Sequence, residues 1–206
     1  HSTSLIKCLR GVVHEMLGVK EDNEINPRKL GVFKAGNLFE DFIIATLGDS
    51  VIHKQREYEY KYKNITLVGR SDYTLNDNGI LRVGENKSVH SDSFWMREHE
   101  GTLIAWHNQI QLMTYLWLER ILDPYKCLIC EKVVFSNVIP KCTCDGSTTE
   151  VDKMLPATEL KLDKPQGVFS YISKDDCTVI GAPIQFNPHL VDEMIILALD
   201  IINEGY

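Results

Sequence analysis

Two carboxylates and an ammonium raise the question of chemistry. Glu85 and Lys87 lie two apart in LRVGENKSVH (81–90), which reads as a strand. Residues i and i+2 of a strand point to the same side, so one face carries both. Asp72 precedes them in LVGRSDYTL (67–75), and NDNG (76–79) between the two stretches is a hairpin signal. With the turn centred on Asp77 and Asn78, Asp72 falls opposite Val83. Glu85 is then its diagonal neighbour on the same face, ~7–8 Å away at the backbone. Two carboxylates reaching across that gap can share one divalent cation. Mg²⁺ takes oxygen ligands at ~2.0–2.1 Å and keeps several waters, one of which Lys87 could hold or polarise. A metal held this way activates water and neutralises charge on a phosphodiester in the transition state. The same three residues also describe a surface hairpin with a neighbouring ion pair, and taken alone they favour that plainer reading.

Two further stretches shift the balance. GNLFEDF (36–42) puts Glu40 on an amphipathic helix upstream of the strands. HNQIQLMTYLW (107–117) puts His107, Gln111 and Tyr115 at steps of four, on one face of an otherwise apolar helix. Such a polar stripe needs partners, in a buried hydrogen-bond network or in a ligand.

In order, the chain spells G-x-x-x-E (36–40), x-G-x-x-D (68–72), G-E-x-K (84–87) and Q-x-x-x-Y (111–115). This pattern resembles the PD-(D/E)xK nuclease superfamily, in particular its RecB-like branch of lambda-type exonucleases, CRISPR-associated Cas four-type exonucleases and viral relatives. LIKCLRG (5–11), GENKSVHSDSFW (84–95), HNQIQLMTYLWLE (107–119) and GVFSYISKDD (167–176) extend the likeness along most of the chain. The resemblance implies a restriction-endonuclease-like core and a DNA nuclease acting on single strands or strand ends. It implies Asp72, Glu85 and the backbone carbonyl of Asn86 as ligands to Mg²⁺ or Mn²⁺, and Lys87 beside the attacking water. It places Gln111 and Tyr115, with His107 on the same stripe, against the nucleic acid. Glu40 takes a helix position where many members carry a histidine ligand. A structure-specific endonuclease and a catalytically silent nucleic-acid-binding or adaptor domain are the alternative readings.

CLICEKVVFSNVIPKCTC (127–144) holds four of the six cysteines as C-x2-C, eleven residues, C-x-C. Two short cysteine pairs across a loop can wrap one tetrahedral ion, and thiolates suit Zn²⁺. Cys127, Cys130, Cys142 and Cys144 are therefore expected to hold structural zinc, with Cys8 and Cys177 as buried free thiols. The alternative is an iron–sulfur cluster that recruits Cys8, as in the Cas four-type relatives.

The elements that must position these groups are legible at low resolution. Helices are expected at 3–18, 32–47, 103–121 and from Asn187 to the end, and strands at 51–63, 65–75, 80–89, 167–173 and 178–186. Residues 20–30 read as loop, and 126–165 as a Cys-rich insertion without a long element. The order predicts one α/β domain over 1–206, a central mixed sheet flanked by helices. No apolar run approaches the ~20 residues of a membrane span and no secretory signal is visible, so no membrane partner and an intracellular location are expected. The formal net charge of −7 is the wrong sign for holding nucleic acid by bulk electrostatics. Basic residues do cluster, at Arg56, Lys61, Lys63 and Arg70 and again at Lys126, Lys132 and Lys141; such clusters are more often solvated surface than a binding track.

Overall fold

Residues 51–77 form a long hairpin whose two arms each change sheet partway. The computed structural model describes residues 27–92, 94–95, 106–142, 144, 153–162 and 164–204. One arm is β1 (Val51–Lys54) followed by β2 (Glu57–Tyr62), and the other is β3 (Ile65–Arg70) followed by β4 (Tyr73–Asp77). The sequence reads each arm as one continuous strand. The break falls at Gln55 and Arg56, where Gln55 adopts a φ of 51°, and at Ser71 and Asp72 opposite. Gln55 N–H donates to the Asp72 carbonyl and Ser71 N–H to the Arg56 carbonyl, so the two arms stay bonded through the break.

The first sheet has the order β1-β4-β5-β9-β10, with β5 (Ile80–Val89), β9 (Gln166–Ser173) and β10 (Val179–Gln185). The β5–β9 pair is parallel and the others antiparallel. The second sheet runs β3-β2-β7-β6-β8, with β6 (Asp123–Cys127), β7 (Val133–Ser136) and β8 (Met154–Pro156). The α/β class with a mixed sheet flanked by helices is as expected, and the second sheet is an addition. The end of β6 and all of β7 and β8 lie in the stretch, 126–165, that read as an insertion without long elements. At three to five residues, separated by cysteine turns, they are too short for alternation to show.

Helix α1 (Pro27–Leu47) covers one face of the first sheet, and α2 (Trp106–Ile121) and α3 (Pro188–Glu204) cover the other. Phe39, Ile43, Ile44 and Leu47 of α1 pack on Tyr73, Leu75, Val168 and Ile172. Leu112 and Leu116 of α2 and Val191, Ile195 and Leu199 of α3 pack on Val83, Phe169 and Tyr171. Each such side chain contributes about 1.5–3 kcal/mol when fully buried. Helix α1 begins at Pro27, inside the stretch read as loop, with proline at its favoured first position. It ends at Gly48 as expected, with φ 53° in the left-handed region that closes helices.

Cys177 corrects an expectation. It is exposed rather than buried, because it lies in the turn joining β9 to β10, where its N–H bonds the Ser173 carbonyl. Cys8 and the helix expected at 3–18 lie outside the described residues. Among the described residues no helix is long and apolar enough to cross a membrane.

Candidate functional site

The β4–β5 turn is tighter than the sequence suggests. Asp77 pairs with Ile80, leaving a two-residue turn at Asn78 and Gly79. Their φ values of 52° and 89° are the pattern of a type I′ turn, which favours Asn-Gly. The register therefore slides by two residues from the one expected. Thr74, not Asp72, lies opposite Val83, and Asp72 reaches the level of Glu85. A shift of two keeps every side chain on its face, so the pairing of the two carboxylates survives and becomes direct instead of diagonal.

Where β4 ends at Tyr73, opposite Gly84, its chain leaves for the second sheet, while β5 continues beside β9 as far as Val89. This opens a notch along one edge of residues 86–89, with Asp72 at its closed end. Gly84 matters here: a Cβ on it would stand 2.1 Å from the Tyr73 ring, which lies across the strand just before Glu85. A cleft of about 290 Å³ fills the notch, lined by Glu40 from α1 and by Asp72, Glu85, Asn86 and Lys87. Glu40 is itself steered by Gln55, whose Nε2 donates to Glu40 Oε1 at 3.1 Å. Gln55 thus holds Asp72 through its backbone and Glu40 through its side chain. Nothing in the sequence marks it, because its role depends on the sheet change.

Hydrogen bonds set each group. Asn86 N–H donates to Asp72 Oδ2 at 2.6 Å. Lys87 Nζ donates to Glu85 Oε1 at 2.7 Å and to Gln111 Oε1 at 3.1 Å. Gln111 Nε2 donates to the Tyr115 hydroxyl at 3.0 Å. The expected Gln–Tyr stripe of α2 therefore joins the carboxylates through Lys87. His107 is exposed, and the cleft-lining residues include none of His107, Gln111 and Tyr115.

The cleft is short of positive charge. Glu85 is 4% exposed, and its Oε2 has no hydrogen-bond partner among the described residues. Burial pushes the Asp72 carboxyl up to about 8, reinforced by the Glu85 charge and by Glu40, and opposed by Asn86 N–H and Lys87. Burial likewise raises Glu85, against the pull of Lys87. An unsatisfied buried acceptor beside acids held above their ordinary range is what a cation would relieve, and oxygen donors of this kind suit Mg²⁺ or Mn²⁺.

Beneath the cleft lies a buried network that motif reading misses. Arg56 and Glu119 are 2% and 0% exposed, and Arg56 Nη1 meets both Glu119 oxygens at 2.8 and 3.0 Å. The Tyr58 hydroxyl, kept protonated by burial, donates to Glu119 Oε1 at 2.8 Å and lies 3.2 Å from Ser71 Oγ. Tyr58 also stacks on Tyr115, with ring centroids 5.6 Å apart. The network thus clamps the sheet change beside Asp72 and supports Tyr115 from below. A signal existed: Glu119 continues the step of four from Gln111 and Tyr115, one turn beyond Tyr115. Removing one partner of a buried pair strands the other charge. Glu119→Ala should therefore lower unfolding free energy by about 3–5 kcal/mol, whereas Asp123→Ala, which breaks the exposed pair with Lys161, should cost at most about 1 kcal/mol. Urea unfolding of both variants checks the contrast, and equal losses would show that the buried pair is no clamp.

The four clustered cysteines come together at the end of β6. Their sulfurs all lie within 4.8 Å of one another. Cys127 and Cys144 Sγ are 3.8 Å apart, and Cys130 and Cys142 Sγ 3.6 Å. A tetrahedral ion with thiolate arms of ~2.3 Å has sulfur–sulfur edges of about 3.8 Å. Backbone N–H groups of Cys130 and Ile129 lower the Cys127 thiol to about 6, while hydrogen bonds to the neighbouring sulfurs push Cys144 up to about 12, so the metal-free cluster favours a thiolate at Cys127 and a thiol at Cys144. These four residues can hold a metal ion.

No protein-family model matches the chain, and no curated protein matches it. Among solved structures, one described as "Crystal structure of SSO0001" is similar at 16% identity. The match covers 97% of this chain and 74% of that chain, with a TM-score of 0.47.

Proposed function

We propose that the protein is a metal-dependent nuclease that hydrolyses phosphodiester bonds of DNA, acting on single strands or strand ends. The observation that carries this reading is the buried, unpartnered Oε2 of Glu85, a residue that lines one cleft with Asp72, Glu40 and Lys87. Asp72 and Glu85 would hold Mg²⁺ or Mn²⁺, with Glu40 and the Asn86 carbonyl as further oxygen donors. The ion supplies polarisation of the phosphoryl oxygen and a bound water of lowered pKa. Lys87, anchored by Glu85 and Gln111, donates to the attacking water and then to the charge that grows on phosphorus-bound oxygen. Gln111 and Tyr115 hold the strand against the cleft. Water oxygen bonds to phosphorus as the water gives up a proton to solvent, the bond to the leaving sugar oxygen breaks, and that oxygen takes up a proton from solvent. The resemblance to PD-(D/E)xK nucleases supports the same roles for the same residues.

The cysteine cluster is proposed to hold structural Zn²⁺. Four sulfurs within 4.8 Å suit one ion, whereas a cluster of several irons needs its cysteines further apart, and the set is complete without Cys8.

Incubation of end-labelled linear and circular single-stranded DNA with Mg²⁺, Mn²⁺ or chelator tests the reading. Cleavage of the linear strand that chelator abolishes is expected, and a protein that cleaves neither substrate with either ion is not a nuclease. Elemental analysis of the same preparation, purified without oxygen, should find about one zinc per chain and no visible colour. Stoichiometric iron would overturn the zinc assignment.

A further inference from the structure

Members of the two basic clusters of the sequence, Arg70 from one and Lys132 and Lys141 from the other, line one groove. On the second sheet, beyond the carboxylate cleft, lies a groove of about 510 Å³ lined by Arg70 from β3, Tyr115 from α2, and Lys132, Pro140 and Lys141 from the cysteine-bearing segment. Its acidic residues are already neutralised. Glu57 pairs with Lys132 at 2.8 Å and Glu59 with Lys61 at 3.6 Å. Arg70 and Lys141 are exposed and form no ion pair among the described residues. In a chain with a net charge of −7, two uncompensated cations facing one groove form a local anion site.

The cysteine cluster shapes this groove. Lys132 and Lys141 also line a second cavity of about 180 Å³ whose walls include Cys130, Cys142 and Cys144. Lys132 follows Cys130 by two residues and Lys141 precedes Cys142 directly. An ion on the four sulfurs therefore fixes both loops that carry these lysines. At the other end stands Tyr115, one hydrogen bond from Gln111 and two from Lys87.

We propose that this groove is a phosphate-backbone track for single-stranded nucleic acid, organised by the metal on Cys127, Cys130, Cys142 and Cys144. Arg70 and Lys141 bind the phosphates, and Tyr115 marks the end toward the carboxylates. This rests on the nuclease reading for its substrate and adds where the strand lies. Binding through phosphates is blind to sequence and to sugar. A single strand can lie along a groove of about 510 Å³ with its phosphates toward the two cations, as in other electrostatic tracks for unpaired strands. A duplex presents its phosphates on a convex cylinder and meets only the rim.

The test is a fluorescence-anisotropy titration of labelled oligothymidylate, oligouridylate and a DNA duplex in Ca²⁺, at several salt concentrations. The parent should bind both single strands alike and the duplex more weakly. Arg70→Ala with Lys141→Ala removes two exposed side chains and should weaken binding at low salt by about tenfold or more. The slope of log affinity against log salt should flatten by about 1.4, since each neutralised phosphate of a single strand contributes ~0.7. Cys142→Ser, losing the metal, should reproduce the weakening. Parent-like affinity and slope in the double variant would overturn the track, and tighter binding of duplex would overturn its single-strand character. The two readings fail separately. A parent that binds through Arg70 and Lys141 but never cleaves with Mg²⁺ keeps the track and loses the nuclease. A parent that cleaves, with a double variant that binds as well as it does, keeps the nuclease and loses the track.

Discussion

Asp72→Asn and Glu85→Gln should each remove Mg²⁺-supported cleavage, by on the order of 10³-fold or more. A bound cation supplies several kcal/mol of transition-state stabilisation, and each 1.36 kcal/mol is a factor of ten in rate. Both substitutions keep shape and remove charge. The Asp72 side chain can still accept the Asn86 N–H that meets it at 2.6 Å. Stability supplies the control, and its sign is opposite to that of activity. The Asp72 carboxyl is pushed up to about 8 in the metal-free fold, against about 3.9 in an unfolded chain. Its contribution is fully present below the unfolded value and is lost as pH rises through about 8. Parent protein in chelator should therefore lose Tm between acid and mildly alkaline pH, and Asp72→Asn should lose less. A folded variant that cuts at the parent rate would remove Asp72 from the site. A variant that loses activity and also melts earlier across the whole pH range would point to a structural role alone.

Lys87→Ala should lower kcat by about 10²–10³, the usual cost of removing one preorganised charge-stabilising donor. Its effect on DNA affinity in Ca²⁺, which supports binding without chemistry, should be far smaller, because the ammonium acts mainly in the transition state. The geometry argues against a plain surface pair. Glu85 is nearly fully buried, Lys87 is a quarter exposed, and the ammonium is shared between Glu85 and Gln111. An exposed pair would cost at most about 1 kcal/mol of stability and little activity. Lys87→Arg should not restore the rate, since a planar guanidinium cannot present the same compact charge to a water and still satisfy both anchors. Single-turnover cleavage beside a binding titration separates the cases. A Lys87→Ala protein within about threefold of the parent has lost under about 1 kcal/mol of barrier, which returns the residue to the surface reading.

The sequence by itself determined the local geometry on which the site depends. Strand alternation put Glu85 and Lys87 on one face, and it kept Asp72 on that face although the turn was placed one residue early. A side-chain period of two makes face assignment immune to a two-residue slip. Steps of four on α2 aligned Gln111 with Tyr115, and cysteine spacing marked four sulfurs that do converge. Helix ends at Gly48 and Pro188 followed from backbone chemistry that acts within a few residues.

Only the tertiary structure decided what depends on two distant segments at once. The sheet change at Gln55–Arg56 and Ser71–Asp72 leaves no mark in the hydrophobic pattern, because each arm reads as one unbroken strand. Yet it opens the notch, brings Gln55 to Glu40 and buries Arg56 on Glu119, 63 residues away. His107 shares the stripe of Gln111 and Tyr115 but is exposed, while Tyr115 is buried against the core. Arg56 and Arg70 look equivalent in the sequence. One is buried in an ion pair, whose desolvation only a specific partner can offset. The other is left uncompensated at a groove whose far wall comes from the cysteine segment, and no local pattern can tell the two apart.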